Sequence, residues 1–393
     1  MKRSAVLLIN VAHALDHMFL LIFATAVTRI AQDLGVGRWE DLMPYSVASF
    51  FLFGLGSIPA GRLGDLWGRR PMMLVFFAGM GVSALLVSVV QTPWQLAAAL
   101  ALLGLFAAIY HPVGIPMLLQ SAVRPGLTIG INGMSGNLGI ALAAVVTGFL
   151  VKHLGWRAAF ALPGLVCLVL MVWFWKVVPP ELQSPAKRQQ AKSMPIQGSL
   201  AKLLLIMTLA STSGSLLFNF TTNSNYELLT ERLAHITSDP ALLGALLAAV
   251  YALASLMQLV VGHLLDRFPI KQMYLTLIGL QMLMFALAVH ATGWWFYVLQ
   301  FAFMAVIFGA IPFTDAMIVR YVDDAQRSRV SGMRLAVSLG ASSLAVWLIG
   351  PVVKAAGFSS LLMTMTAITL VSFTVVSQLP SHAPAPSPSP AQP

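Results

Sequence analysis

Charge is what this sequence has least of: Asp, Glu, Lys and Arg make up 9% of its 393 residues, where soluble domains carry about 25%. With 58% hydrophobic residues and a mean hydropathy of +0.84, that scarcity excludes an ordinary soluble fold. Cysteine is nearly absent too. Cys167 stands alone inside an apolar run, so an internal disulfide and cysteine-built zinc sites are excluded. No Walker-type phosphate loop occurs, which argues against ATP-driven work by this chain alone. No nucleophile stands beside a base at a recognisable spacing, and the histidines lack a zinc-binding arrangement; an enzyme, a metal and a cofactor are therefore not expected. Acidic residues number 13 against 23 Lys and Arg, a net charge of +10. In a soluble protein that excess would suggest a nucleic-acid partner. Here the basic residues fall in short breaks between apolar runs and no nucleic-acid module accompanies them, so that partner is excluded.

What the chain does have is apolar runs long enough to cross about 30 Å of hydrocarbon. Twelve are read, at 5–27, 43–61, 72–91, 95–120, 127–150, 157–178, 202–222, 242–264, 272–291, 294–319, 330–350 and 358–379. The expected fold is an all-α bundle of transmembrane helices in a lipid bilayer. Gln91-Thr92-Pro93 and Gly293 mark tight hairpins between spans three and four and between nine and ten. The first run is not read as a secretory signal, because Asn10, His13, Asp16 and His17 interrupt it. If the amino terminus is inside, 17 of the 23 basic residues fall on one side and 6 on the other. Positive charge stays on the cytoplasmic side, so both termini are expected there. The +10 charge then reflects orientation.

A Pro- and Lys-containing connection at 179–201 divides the spans six and six. The expected organisation is a half at 1–178, a cytoplasmic linker at 179–201, a second half at 202–380 and a Pro/Ala/Ser tail at 381–393 whose composition cannot bury a core. The halves repeat each other. Gly61-Arg62-Leu63-Gly64-Asp65-Leu66-Trp67-Gly68-Arg69-Arg70 follows span two, and Gly262-His263-Leu264-Leu265-Asp266-Arg267-Phe268-Pro269-Ile270-Lys271 follows span eight, 201 residues later. Pro112 and Pro312 stand 200 apart, and Gly139 and Gly340 stand 201 apart.

The first loop resembles the signature of the major facilitator superfamily, of the form G-x-L-x-D-[RK]-x-G-[RK]-[RK]: Gly61, Leu63, Asp65, Gly68, Arg69 and Arg70 match, and Leu66 stands where a basic residue is usual. The second copy keeps Gly262, Asp266 and the basic Arg267. The resemblance spans the whole chain and implies twelve helices in two six-helix halves. It also implies a loop motif that latches the halves when the protein is open outward; a solvated loop that only sets topology is the plainer alternative. Within the superfamily, His13 and Asp16, Tyr110-His111-Pro112, and Gly133-x-x-Gly136-Asn137-x-Gly139 are similar to the group that includes fosmidomycin-resistance-type exporters.

A charged side chain at a helix centre costs at least about 2.5–3.5 kcal/mol on insertion scales, so the intramembrane polar residues are the candidate pathway. Asn10, His13, Asp16 and His17 share one helical face. A carboxylate among imidazoles, which titrate near 6.5, can exchange a proton near neutral pH; the plainer role is packing helix one against its neighbours. His111 precedes a helix-bending Pro112, and is either a proton carrier or a packing hydrogen bonder. Asp315 lies three residues after Pro312 and either faces the pathway or pairs with Arg320 near the interface. Arg334 either meets an anionic group, pairs with Asp315, or snorkels to the surface. Span seven, with Ser211, Thr212, Ser213, Ser215, Asn219, Thr221, Thr222 and Asn223 before Glu227, is expected to line the route. Gly130, Gly133, Gly136 and Gly139 form a smooth surface on span five that resembles the antiporter motif of the superfamily, although Asn137 stands where a Gly-Pro pair would follow.

These readings imply a monomeric secondary transporter of the bacterial inner membrane, moving a small molecule by alternating access with protons as coupling ion, in the direction of efflux. Uptake of a small organic anion with Arg334 as counter-charge is the alternative, and a non-transporting scaffold or sensor is the alternative of another class.

Overall fold

The computed structural model describes residues 3–120, 122–123, 125–181, 198–265, 267–321 and 324–379. Most of the linker and the tail read from the sequence therefore lie outside the described residues. Without water to solvate peptide groups in a bilayer, each span must satisfy its own backbone, and helices do so. The helices are α1 (Arg3–Asp33), α2 (Trp39–Trp67), α3 (Arg69–Ser88), α4 (Pro93–Leu119), α5 (Thr128–His153), α6 (Trp156–Val177), α7 (Leu204–Arg232), α8 (Pro240–Leu265), α9 (Ile270–Ala288) and α10 (Gly293–Tyr321). One further helical stretch, Asp324–Ser377, breaks at Gly357 (φ 75°, ψ 175°) into α11 (324–356) and α12 (358–377).

By length and composition eleven helices among the described residues suffice to cross a membrane, the last being twice the length of one crossing. The break supplies the twelfth span. Gly357 has the conformation of Gly155 (φ 85°), which separates α5 from α6 at the equivalent place in the repeat. A side chain is strained at such angles, and glycine is not. The neighbours show that the chain reverses there. Gly350 of α11 approaches the Glu40 carbonyl, Ser359 of α12 donates to the Val289 carbonyl (2.9 Å), and Lys271 at the start of α9 donates to the Leu379 carbonyl at the end of α12 (2.6 Å).

Sequence limits shift at the ends. The first helix runs to Asp33 instead of 27, and α2 begins at Trp39 through a 3₁₀ turn at Met43–Ser46. Thr92 caps α4, accepting a hydrogen bond from the Gln95 amide (3.3 Å) with Pro93 at the first helical position. The result is the two six-helix halves the repeat implies, with α1 packed along α5, α5 along α8, and α2 along α11. Leu55, Ile58, Val169, Val172, Leu259 and Val371 stay exposed on the outside, as residues facing lipid do.

The repeat extends to contacts. Arg70 donates to the Val178 carbonyl (2.5 Å) and the Trp175 carbonyl (2.8 Å), capping the end of α6. Lys271, 201 residues later, meets Leu379, 201 residues after Val178. A cation beside the unsatisfied carbonyls of a helix end is favourable.

Candidate functional site: a central cavity walled by imidazoles

The α1 face read from the sequence points inward. His13 Nδ1 is 2.7 Å from the Asn132 carbonyl on α5, and His17 Nε2 is 3.1 Å from His13 Nε2. His111 joins them from α4, where Tyr110–Gly114 forms a single π-helical turn around Pro112. Such turns re-aim side chains and recur at functional sites. The His111 ring lies 5.1 Å from His13 and 5.7 Å from His17, between centroids.

Asp16 is fully buried, neither carboxyl oxygen has a hydrogen-bond partner among the described residues, and His111 Nε2 is 3.6 Å from its Oδ2. An ionised carboxylate so placed is costly unless a neighbouring cation offsets it. The cluster is braced beneath. Asn132 Nδ2 donates to the Tyr110 hydroxyl (2.7 Å) and to Asn10 Oδ1 (2.9 Å), Tyr110 donates to the Ile9 carbonyl (3.0 Å), and the Tyr110 ring stacks on His13 at 4.6 Å. Glycine leaves the room. A Cβ on Gly136 would sit 2.7 Å from the His13 ring, and one on Gly139 would sit 2.1 Å from the Ala14 carbonyl.

These imidazoles form one wall of a cavity of about 320 Å³. Asn137 lines the same wall, with its amide nitrogen buried and without a partner among the described residues. The opposite wall is uncharged: Ser211, Ser215, Asn219 and Thr222 from α7, Gln258 from α8, and Ser338 and Ser342 from α11 stand among apolar side chains such as Phe218 and Ile307. Ser211 and Ser338 share a hydrogen bond (2.8 Å), and Asn219 donates to Ser342 (2.8 Å). Span seven thus lines the cavity with part of its polar face. Thr221, Asn223, Ser224 and Asn225 are buried among helices instead.

Among the described residues, polar ties between the halves gather at the end opposite the loop motif. Thr28 donates to Glu227 Oε1 (2.7 Å), Lys354 pairs with Asp41, Lys152 pairs with Asp239, and Trp39 stacks on Phe358 at 5.9 Å. The Lys152 ammonium holds the Asp239 carboxyl below the usual carboxylate range. Gly148 of α5 lies against the Pro240 carbonyl, where a Cβ would come within 2.4 Å.

The loop motif does different work. Gly61 and Gly64 let α2 approach Pro112 and Val113, and Gly68 (φ 104°) admits Glu181, which accepts from the Arg69 amide (2.6 Å). The Arg69 side chain donates to the Pro116 carbonyl (3.1 Å) and Gln120 (3.3 Å). Apart from Glu181, at the start of the linker, these partners belong to the first half. Asp65 is exposed, as is Arg267 of the second copy; Gly262 has open space around it, and Asp266 lies outside the described residues.

The structure therefore brings together His13, Asp16, His17, His111 and Asn137. Asp315 and Arg334 sit on α10 and α11, and their side chains lie outside the described ones. Sequence reasoning missed Asn132, Gln258, Ser338 and Ser342. Asn132 alone carried a signal, an amide one turn and a half from Asn137 on the glycine-rich helix. Spacing along the chain also gave no hint that three imidazoles converge, since the third arrives from another helix.

Two six-helix bundles meeting around a largely apolar cavity studded with imidazoles, serines and amides define a membrane transport protein. Residues 7–227 and 203–393 each match the family described as Major Facilitator Superfamily, and the chain belongs to it. Members of this family are transporters, and the many apolar spans and bacterial relatives mark an inner-membrane protein. The chain is 28% identical over 302 residues to multidrug resistance protein MdtG of Citrobacter koseri, covering 73% of each. It is 27% identical to a gallate transporter of Pseudomonas putida over 176 residues, 44% of this chain and 39% of that one. Among solved structures it is similar in fold to a bacterial homologue of the human lysosomal transporter Spinster in an inward-facing, occupied conformation (TM-score 0.76, 13% identity, 95% and 96% covered). A D-xylose–proton symporter is similar as well (TM-score 0.76, 15% identity, 96% and 98% covered).

Proposed function

We propose that this chain is a proton-coupled secondary transporter that exports a small molecule across the bacterial inner membrane as a monomer, with both termini cytoplasmic. The observation that carries the coupling is Asp16, fully buried, with no hydrogen-bond donor on either oxygen among the described residues and the His111 ring at 3.6 Å. A proton taken up there, on the carboxyl or on the imidazole, removes an otherwise uncompensated buried charge. His13 and His17 continue the path into the cavity, and Asn137 with the serines and amides of α7, α8 and α11 hydrogen-bonds the substrate. In this reading the ties at Glu227, Asp41 and Asp239 close the outer end, and the cavity faces the cytoplasm. Asp65, exposed in this state, meets the other half only when the cavity opens outward. Export is supported by the 28% identity to MdtG and by the residues shared with fosmidomycin-resistance-type exporters.

Proton-coupled uptake of a small organic anion is the second reading, favoured by the similarity to the gallate transporter. Accumulation of fosmidomycin or gallate in proteoliposomes under imposed pH gradients separates the two. Exchange of substrate against protons drives uptake when the lumen is acid, and cotransport drives it when the exterior is acid. Flux of every probe with equal speed under both gradients overturns proton coupling.

A further inference from the structure

His13, His17 and His111 each offer a ring nitrogen, and the three nitrogens lie within 4.8 Å of one another. We propose that they form a binding site for one divalent transition-metal ion, of the kind that prefers imidazole, such as Zn²⁺, Co²⁺ or Ni²⁺. Zn–N bonds of about 2.0–2.1 Å in a tetrahedral arrangement place ligand nitrogens roughly 3.4 Å apart. His13 Nε2 and His17 Nε2, at 3.1 Å, are already so placed. His111 reaches the same centre by a side-chain adjustment of about 1–1.5 Å, judged against that ideal spacing.

Two independent features point to a ligand there. The Asn132 carbonyl, 2.7 Å from His13 Nδ1, fixes the proton on that nitrogen and leaves Nε2 with its lone pair toward the cavity. This is the orienting contact that metal-bound histidines use. Asp16, fully buried and with no donor on its carboxyl oxygens among the described residues, stands 3.6 Å from His111 Nε2 as a counter-charge. Gly136 keeps the space clear, since a Cβ there would touch both the His13 and His17 rings. All three imidazoles line the cavity, so the ion enters from it, and three protein nitrogens leave a fourth position open. The ligands come only from α1 and α4, so a bound ion does not cross-link the halves. The site is tested by binding and stands whichever ion couples transport.

The experiment titrates CoCl₂ into untagged, EDTA-stripped protein in detergent and reads visible absorption. One Co²⁺ per chain with the strong bands of a four-coordinate centre, displaced by ZnCl₂, is expected. His13→Ala and His111→Ala each weaken binding at least tenfold, and His290→Ala, at an exposed position, leaves it unchanged. No stoichiometric absorption, or binding that survives both substitutions, overturns the proposal. A second measurement needs no variant. ZnCl₂ shields His13, His17 and His111 of the native protein from diethyl pyrocarbonate while His153, His235, His263 and His290 still react; labelling of His13, His17 and His111 that is equal with and without zinc overturns it.

Discussion

Thr28→Val takes one hydroxyl from the proposed outer closure while keeping the shape of the side chain. In the structure that hydroxyl donates to Glu227 Oε1 at 2.7 Å, with Glu227 only 7% exposed, and the bond joins α1 to α7 across the two halves. A hydroxyl-to-carboxyl hydrogen bond contributes about 0.5–1.5 kcal/mol when neutral and about 1.5–3 when charged. Losing it favours the outward-open state by about 1–3 kcal/mol, or roughly 5- to 150-fold in the equilibrium. Lys354→Ala removes an ion pair whose partners are 46% and 42% exposed. Exposed pairs contribute about 0.2–1 kcal/mol, at most roughly fivefold. Because Cys167 is the sole cysteine, a Cys167→Ala background carrying Gly37→Cys and Ala355→Cys admits spin labels on the two sides of the closure. Distance distributions in lipid should show a long-distance population that grows strongly with Thr28→Val and weakly with Lys354→Ala. An unchanged distribution in Thr28→Val, or a larger response from Lys354→Ala, refutes the ranking.

Gly139→Ala puts a methyl 2.1 Å from the Ala14 carbonyl, a backbone atom that cannot swing aside. Overpacking of this kind costs about 1–3 kcal/mol, and thermal unfolding in detergent should shift down accordingly, while Gly130→Ala, with open space around it, should not. Arg70→Met and Lys271→Met each uncover carbonyls at the end of a helix, α6 and α12 respectively. Both should lower thermal stability, by about 1 kcal/mol each and additively, since they lie in different halves. The lowered pKa of Asp239 keeps the Lys152 pair charged above the ordinary carboxylate range; it is lost only as pH falls through that lowered value. Lys152→Ala should therefore change transport rate by the same factor at every pH from about 6 to 8, leaving pH dependence there to other groups.

The charge distribution, the 201-residue repeat and the loop motif made the two-half architecture legible, because those signals are linear. Asn10, His13, Asp16 and His17 were also legible as a face, since helix geometry alone puts them side by side. The place of His111 beside His13 and His17 was not legible. A π-helical turn aims it at α1 from 94 residues away, and no period in the sequence encodes that. The neutral wall was half visible. Span seven announced its Ser and Asn residues, whereas Ser338 and Ser342 are unremarkable singly and gain meaning only by facing Ser211 and Asn219. The Arg69 and Arg70 contacts belong to one half, so the motif also braces its own bundle, a role its resemblance to a latch did not announce.

The account rests on Asp16 as the proton-coupling group, and Asp16→Asn in proteoliposomes tests it most directly. A substrate found among fosmidomycin, gallate and related probes is followed in two modes: exchange of labelled against unlabelled substrate with no pH gradient, and accumulation driven by a pH gradient. The account predicts that the variant keeps exchange and loses gradient-driven accumulation. Accumulation at the wild-type level in Asp16→Asn would contradict it.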